Sequence, residues 1–320
     1  MARRIGILTS GGDAPGMNAV VRAVARAGLQ RGMEVCGIRR GYVGLLNGDV
    51  FEMDERTVSG VIQRGGTFLY TARCPEFRNM EGVKKGYDMC KKLGLEGLVV
   101  VGGDGSFRGA GDLSSLGIPC IGIPGTIDND IQCTEYTIGY DTAMNTAMEM
   151  IDKICDTTQS HDRCSVVEVM GRKAGYIAVN VGIAVGAEAV ITLEEPYDLN
   201  EIADKMMQAK KHGKTHFLIV VAEGVGQTDV IARTIQEMTG MESRVTVLGH
   251  VQRGGSPTVR DRVLATEMGY HAVELLDQGI GNRIVGLKDG KVYDIDLQEG
   301  LAMKKEFLHN RYEILKKTTF

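Results

Sequence analysis

Asp128 and Asp130 flank a single Asn in the stretch Pro124-Gly-Thr-Ile-Asp-Asn-Asp130, directly after a short apolar run. Two carboxylates so placed beside a buried strand could hold a cation, take a proton, attack a substrate, or only shape an Asx turn. In an extended segment Asp128 and Asp130 face one way and Asn129 the other. A third acid, Asp104, stands inside the glycine loop Val99-Val-Val-Gly-Gly-Asp-Gly-Ser-Phe-Arg-Gly109. A carboxylate among phosphate-binding amides repels phosphate unless a cation lies between them, so Asp104 suits Mg²⁺ better than phosphate. Its plain alternative is a helix N-cap. If Asp104 ends a neighbouring strand, the three acids could meet, with a cation on one side and one acid left to accept a proton.

The other loops carry related possibilities. Ser10–Asn18 (SGGDAPGMN) joins a strand pattern to a helix pattern, a geometry that points backbone N–H groups at an anion or simply makes a turn capped by Asp13. Gly103, Gly105 and Gly109 give G-x-G-x-x-x-G, one residue longer than the dinucleotide fingerprint, and the next strand ends Ile123-Pro124-Gly125 without the acid such a site wants. This argues against an NAD-dependent dehydrogenase, and the chain has no G-x-x-x-x-G-K-[ST] P-loop. The D-x-D loop of aspartyl-phosphate enzymes normally follows its strand directly, whereas Pro-Gly-Thr intervenes here. Arg163, Arg172, Arg244, His250 and Arg253 each lie near the end of an apolar run. Singly these are rim residues; together they suit a phosphorylated small molecule. Glu223 could accept a sugar hydroxyl or be a turn acid. Arg22 and Arg26, one helical turn apart, either form a solvated face or share an anion.

Something must position these loops. Short apolar runs, Ile5–Leu8, Val35–Ile38, Leu98–Val101, Cys120–Ile123, Ser165–Val169, Ala189–Leu193, Phe217–Ala222 and Arg283–Leu287, alternate with helical patterns such as Met17–Arg31 and Thr142–Cys155. The alternation predicts an α/β fold with a largely parallel sheet covered on both faces by helices, and ligands at the carboxyl ends of the strands. The chain has 320 residues, enough for two lobes, with 43 glycines against 6 prolines. Its net charge is -4, with basic residues scattered, so nucleic acid is not an expected partner. Seven Cys without a C-x-x-C pair read as free thiols in a reducing compartment rather than a disulfide framework or zinc site. No run resembles a signal peptide or a membrane span, so a cytoplasmic protein with no membrane partner is expected.

Taken together, TSGGDAPGMNA, RGGTFLYTAR, GGDGS, PGTIDNDI, VEVMGR and LGHVQRGGSP stand in the order and spacing of one family, and the chain resembles the bacterial ATP-dependent 6-phosphofructokinases over nearly its whole length. The resemblance implies two three-layer α/β lobes with largely parallel sheets and the active site in the cleft between them. Residues 1–138 and 252–305 would form the larger, ATP-binding lobe, and 139–251 with 306–320 the smaller, fructose 6-phosphate-binding lobe, in a homotetramer. It implies transfer of the ATP γ-phosphoryl to O1 of fructose 6-phosphate. ATP would meet Gly12, Tyr42, Arg73, Cys74, Arg78, Gly103, Asp104, Gly105 and Ser106. Asp104, aided by Asp130, would hold Mg²⁺. Asp128 would be the base, beside Thr126, with Arg73 and Arg172 stabilising the transferring group. The sugar phosphate would meet Ile127, Met170, Gly171, Glu223, His250, Val251, Gln252 and Arg253, with Arg163 and Arg244 reaching in from a neighbouring subunit. Pyrophosphate-using relatives tend to carry Asp in place of Gly105 and Lys in place of Gly125; the small residues here would leave room for the rest of ATP, so ATP is the expected donor. A silent nucleotide-binding regulator would have lost an acid or Arg from these positions, and none is missing.

Arg22, Arg26, Gly186, Glu188 and Lys214 stand where relatives bind ADP or phosphoenolpyruvate at a subunit interface. Cys155 stands in place of an Arg there, His212 and Thr215 in place of basic residues, and Gly60 in place of an acid. The reduced positive charge implies weakened or altered control by both effectors.

Overall fold

The structure is a computed structural model that describes residues 3–319. Its strands are β1 (Arg4–Thr9), β2 (Glu34–Ile38), β3 (Val50–Met53), β4 (Gly97–Gly102), β5 (Cys120–Pro124), β6 (Cys164–Val169), β7 (Ala189–Ile191), β8 (Phe217–Ala222), β9 (Ser243–Val247), β10 (Arg283–Lys288) and β11 (Lys291–Asp296). The chain divides into two compact units, Met1–Thr142 with Arg253–Lys305, and Ala143–Gln252 with Glu306–Phe320.

The first unit is built on a seven-stranded sheet in the order β11-β10-β5-β4-β1-β2-β3. The five inner strands run parallel, and β3 and β11 close the two edges antiparallel. Helices cover both faces, so the inner strands are apolar along their whole length: Ile5, Ile7, Leu8, Leu98, Val99, Val100 and Val101 are shut off from solvent. Leu8, Leu98, Val100 and Cys120 pack with Leu45, Phe77, Phe107 and Leu113 on one face. Toward the other, Gly97 lies against Leu276 of the helix Val259–Asp277, and Gly28 of the helix Met17–Gln30 lies against Val35 and Ile5. Chain order reverses between β1 and β4, so the loops that follow these two strands diverge and leave a crevice at their carboxyl ends.

The apolar runs of the sequence have no counterpart for β3, β9 or β11. All three are edge strands with half-exposed residues and lack the apolar run of a covered strand. A signal for β11 was present in Lys288-Asp-Gly-Lys291: Asp289 and Gly290 both have positive φ, 50° and 71°, the two-residue hairpin turn that Asp-Gly favours. The expected helix Thr142–Cys155 instead runs Tyr140–Ser160. At its start the buried Asp261 carboxylate accepts the N–H groups of Gly139 and Thr142, both at 2.9 Å, and so caps the helix from outside. At its end no glycine or proline follows Cys155 to stop it.

The second unit holds a four-stranded, wholly parallel sheet in the order β7-β8-β6-β9. Cys164, Val166, Ile219 and Val221 pack against Ala203 and Met206 of the helix Leu199–Lys211 and Ile231 and Ile235 of the helix Thr228–Thr239. β7 ends at Ile191, two residues short of the expected Leu193, which lets Thr192–Glu194 turn across the carboxyl edge of the sheet. Among the described residues no helix is long and apolar enough to cross a membrane.

Candidate active site

In the first unit the crevice at the sheet switch is lined by three loops. After β4 the helix Asp104–Ser115 begins with Gly103 at the cap position and no side-chain cap. Asp104 is therefore the first helical residue rather than an N-cap, and its negative charge sits at the positive end of the helix. A Cβ built on Gly103 or Gly105 meets nothing within 4 Å, so the two glycines leave open space around Asp104. Ser106 is buried, and its carbonyl accepts the Tyr42 hydroxyl at 2.6 Å. Tyr42 is buried in turn, its phenol pushed well above the ordinary value by loss of solvent, and its ring stacks on Phe77 with centroids 4.0 Å apart. Both rings press on Gly109, where a Cβ would come within 3.0 Å of each. The third glycine of the loop is therefore a packing glycine, and Phe77, in Cys-Pro-Glu-Phe-Arg, is a supporting residue the sequence reading passed over.

Arg73 and Arg78 are exposed and Cys74 is half-buried around the short turn Pro75–Arg78. After β1, the Arg253 guanidinium lies over the loop: its Nη1 donates to Asp13 O at 3.1 Å and would be 2.6 Å from a Cβ on Gly12.

The Asp-Asn-Asp stretch is a turn rather than an extended segment. Asn129 has φ 52°, so the alternation of side chains expected of a strand does not apply. Asn is among the few residues that tolerate this left-handed conformation. Its side chain also closes the turn, donating to Glu135 O at 3.2 Å and accepting Thr137 N–H at 3.0 Å. Thr126 Oγ1 accepts Asp128 N–H at 3.2 Å, and Thr126 O accepts the Thr137 hydroxyl at 2.6 Å. Asp128 is 6% exposed, and Ile127 is fully buried.

Lys305 lies beneath this turn, its ammonium donating to Asn129 O at 2.8 Å. Burial pulls the Lys305 pKa down to about 8 against the opposing pull of Asp130. Burial likewise pushes the Cys133 thiol up to about 11, with Asp104 adding to the shift and Lys305 opposing it.

Among the described residues no three His, Cys, Asp or Glu side chains stand close enough to hold a metal between them. Mg²⁺ in phosphoryl-transfer sites usually takes one or two carboxylates plus waters and substrate phosphates. Asp104 and Asp130 lie on loops that leave the paired positions Gly102 and Pro124, and carboxylates are the oxygen donors such a site uses. Gly125, expected to leave room for a nucleotide, instead faces the core: a Cβ there would lie 2.9 Å from Val101 Cγ1 and 3.3 Å from Met17 Cε.

In the second unit the loop Met170–Gly175 crosses the carboxyl end of β6. Arg172 has φ 60° and Gly171 φ 141°, where a Cβ would strike Ala174 O at 2.4 Å. The backbone N–H groups of this loop are taken up in turn. Met170 N donates to Gln252 Oε1 at 3.3 Å, Gly171 N and Arg172 N to Glu223 Oε1 at 3.2 and 2.5 Å, and Gly175 N to Glu194 Oε1 at 2.8 Å. Glu223, read from sequence as an acceptor for a sugar hydroxyl, thus fastens the Arg172 backbone with one oxygen. Gln252 is fully buried, and its amide N–H donates to Gly249 O at 3.1 Å, so it braces the loop from behind. Glu194 was not singled out in the sequence. His250 and Val251 are exposed in the short helix Gly249–Arg253.

Arg163 and Arg244 are brought together at β6 and β9 by Glu242, which accepts from Arg163 Nε at 2.7 Å and Arg244 Nε at 2.8 Å. The two arginines hold Glu242 below the ordinary carboxylate range. Of the expected effector residues, Lys214 and Glu188 form an ion pair with each other, and Glu188 also accepts Leu218 N–H at 2.6 Å. Burial raises the Cys155 thiol, with Asp152 and Glu188 adding to the shift. Gly186 has φ 64° in an open turn. In the first unit, partial burial lowers the Arg22 guanidinium and Arg26 lowers it further, as expected for like charges sharing a face.

A family model described as phosphofructokinase matches residues 4–276. An ATP-dependent 6-phosphofructokinase of Clostridium botulinum is 54% identical over 312 residues, 98% of each chain. Another of the same name from Clostridium tetani is 54% identical over 318 residues, covering 99% of this chain and all of the relative. A solved structure of phosphofructokinase from Saccharomyces cerevisiae superposes with a TM-score of 0.92 at 33% identity, over 99% of this chain and 50% of that longer one.

Proposed function

The chain belongs to the phosphofructokinase family, and we propose that it is an ATP-dependent 6-phosphofructokinase, forming fructose 1,6-bisphosphate and ADP in the committed step of glycolysis. The observation that carries this reading is the pairing of a buried Asp128, held in a rigid turn after β5, with Asp104 at an open helix start after the adjacent β4.

Phosphoryl transfer asks a protein for alignment and charge neutralisation more than for covalent chemistry. The donor phosphates fit the helix start at Gly103–Ser106, where the helix end attracts anions and Gly105 leaves open space. Arg73 and Arg78 would add positive charge, while Gly12, Tyr42 and Cys74 shape the surroundings. Asp104 and Asp130 would hold Mg²⁺, which neutralises phosphate charge when bound. The sugar's 1-hydroxyl attacks the γ-phosphorus, a new O–P bond forms, and ADP leaves with the electrons of the bond that breaks. Asp128 takes the hydroxyl proton as that happens, worth about 10²–10⁴ in rate for a positioned base. Thr126 helps orient the hydroxyl, and Arg172 with Arg73 balances charge on the moving group. The 6-phosphate would be met by His250 and Arg253, and in a homotetramer by Arg163 and Arg244 of a neighbouring subunit. Competition between that phosphate and Glu242 for the two arginines is a cost the substrate has to outweigh.

For the effectors, the Lys214–Glu188 pair and Cys155 in place of an Arg leave little free positive charge in the second unit's contribution. This supports weak responses to ADP and phosphoenolpyruvate. A glycolytic role implies the cytoplasm.

The test is a coupled assay with ATP across a panel of sugar phosphates, the product identified by ³¹P NMR. Fructose 1,6-bisphosphate from fructose 6-phosphate, well ahead of other sugars, is the expected outcome. Preference for a different sugar phosphate would overturn the substrate assignment.

A further inference from the structure

Lys305 has no place among the substrate contacts above, yet it grips the Asp128–Asp130 turn from outside. It is the last residue of the first unit's second stretch, 176 positions along the chain from Asn129. Its ammonium donates to Asn129 O at 2.8 Å and reaches Glu135 O at 3.5 Å. Its backbone N–H donates to Gln132 Oε1 at 2.5 Å, and the other end of that amide donates to Asp130 O at 3.1 Å. Three carbonyls of one turn, at residues 129, 130 and 135, are thus held directly or through Gln132 by a single residue.

The geometry makes this more than a loop contact. The peptide that follows Asn129 lies between Asp128 and Asp130, and Asn129 is left-handed. Rotating that peptide would swing both carboxylates. The Asn129 side chain ties the turn to its own far end, at Glu135 and Thr137. That closes the turn on itself. Its far arm is bonded to β10, where Leu287 N–H donates to Thr134 Oγ1 at 2.8 Å and Leu287 O accepts Glu135 N–H at 3.0 Å. Lys305 adds the anchor at the Asn129 peptide itself. An ammonium is the donor best suited to the place, because its positive charge also offsets the nearby Asp130 carboxylate.

We propose that Lys305 is a positioning residue for phosphoryl transfer, setting the aim of Asp128 and Asp130 through the Asn129 carbonyl. The inference rests on the functional reading above. The test uses the full chain as wild type, Lys305→Met, which keeps the stem and removes the donor, and Lys305→Arg, which keeps a cationic donor. Turnover per folded protein, KM for both substrates, and hydrogen exchange of the amides of residues 126–139 are measured. A misplaced catalytic group typically costs about 10²-fold.

Lys305→Met is expected to lower kcat on the order of 10- to 100-fold, with KM for fructose 6-phosphate changed less than about threefold. Exchange at Thr137, whose N–H bonds Asn129, should quicken while exchange in β1 and β4 stays as in wild type. Lys305→Arg should recover most of the turnover. Wild-type kcat in Lys305→Met overturns the proposal whatever the exchange shows. So does a loss confined to the amount of folded protein, or a kcat loss that Lys305→Arg does not relieve. A wild-type protein that fails to phosphorylate fructose 6-phosphate overturns the functional reading instead, and the exchange comparison still reports whether Lys305 holds the turn.

Discussion

The turn Thr126–Thr137 and the loop Met170–Gly175 meet the same requirement with opposite charges. Each presents functional side chains next to a non-glycine residue of positive φ, Asn129 at 52° and Arg172 at 60°. Left-handed residues of this kind cost of order 1–3 kcal/mol and persist only where their surroundings hold them. In the turn, which presents two carboxylates, the charged outside anchor is a cation on backbone carbonyls, Lys305 on Asn129 and Glu135, beside neutral bonds from β10. In the loop, which presents an arginine, the anchors are carboxylates on backbone N–H groups, Glu223 on residues 171 and 172 and Glu194 on residue 175. Each scaffold carries the charge opposite to the side chain it presents.

Asp128→Ser removes the displayed charge of the turn and leaves its backbone bonds. Turnover should fall about 10³-fold while calorimetry finds fructose 6-phosphate binding little changed. Gly105→Asp adds a charge where the structure has open space. The variant should fold with wild-type melting behaviour but lose about 10²-fold in kcat/KM for ATP, because like charges placed together cost several kcal/mol. Gly125→Ala is the control within the same region. Its Cβ meets Val101, so it should melt lower, by about 1–3 kcal/mol of stability, rather than lose ATP selectively.

In the arginine loop, Glu194→Ala removes one backbone acceptor at some distance from Arg172. A few-fold rise in KM for fructose 6-phosphate is expected, with about 1 kcal/mol of stability lost. Glu194→Gln keeps an acceptor and should recover most of both. The smallest effect is chemical. Cys74 and Cys155 are the half-buried thiols and the others described are buried, so alkylation of the native protein should fall on these two. ATP should slow modification of Cys74 and leave Cys155 unaffected. Equal protection of both would place the nucleotide elsewhere.

Much of the fold is legible in the sequence because the inner strands are covered on both faces and have to be apolar throughout. The edge strands β3, β9 and β11, half-exposed, do not stand out in the same way. Loop residues near one another in sequence are legible too: Asp104 and Asp128 lie a few positions beyond strands whose pairing follows from the alternation. The supports are not, because they come from far away or work through the backbone. Lys305 is paired with a turn 176 residues distant, and nothing in its own neighbourhood of the sequence marks it. The left-handed Asn129 reverses the expected strand alternation, a change that composition cannot report. Glu223 was visible as an acid at a strand end, yet its partners are backbone N–H groups that have no letter in a sequence. Gly125 illustrates the converse error: a small residue near a site suggests room for a ligand, when its hydrogen in fact faces Val101 and Met17.

The assignment as a whole meets its most direct test in one exchange of donors. Wild-type protein is assayed with fructose 6-phosphate and either ATP or pyrophosphate at matched concentrations. The open space beside Asp104 and the uncharged Gly105 predict rapid turnover with ATP and less than about 1% of that rate with pyrophosphate, a difference of about 3 kcal/mol in transition-state stabilisation. Turnover with pyrophosphate equal to or above that with ATP would contradict the account.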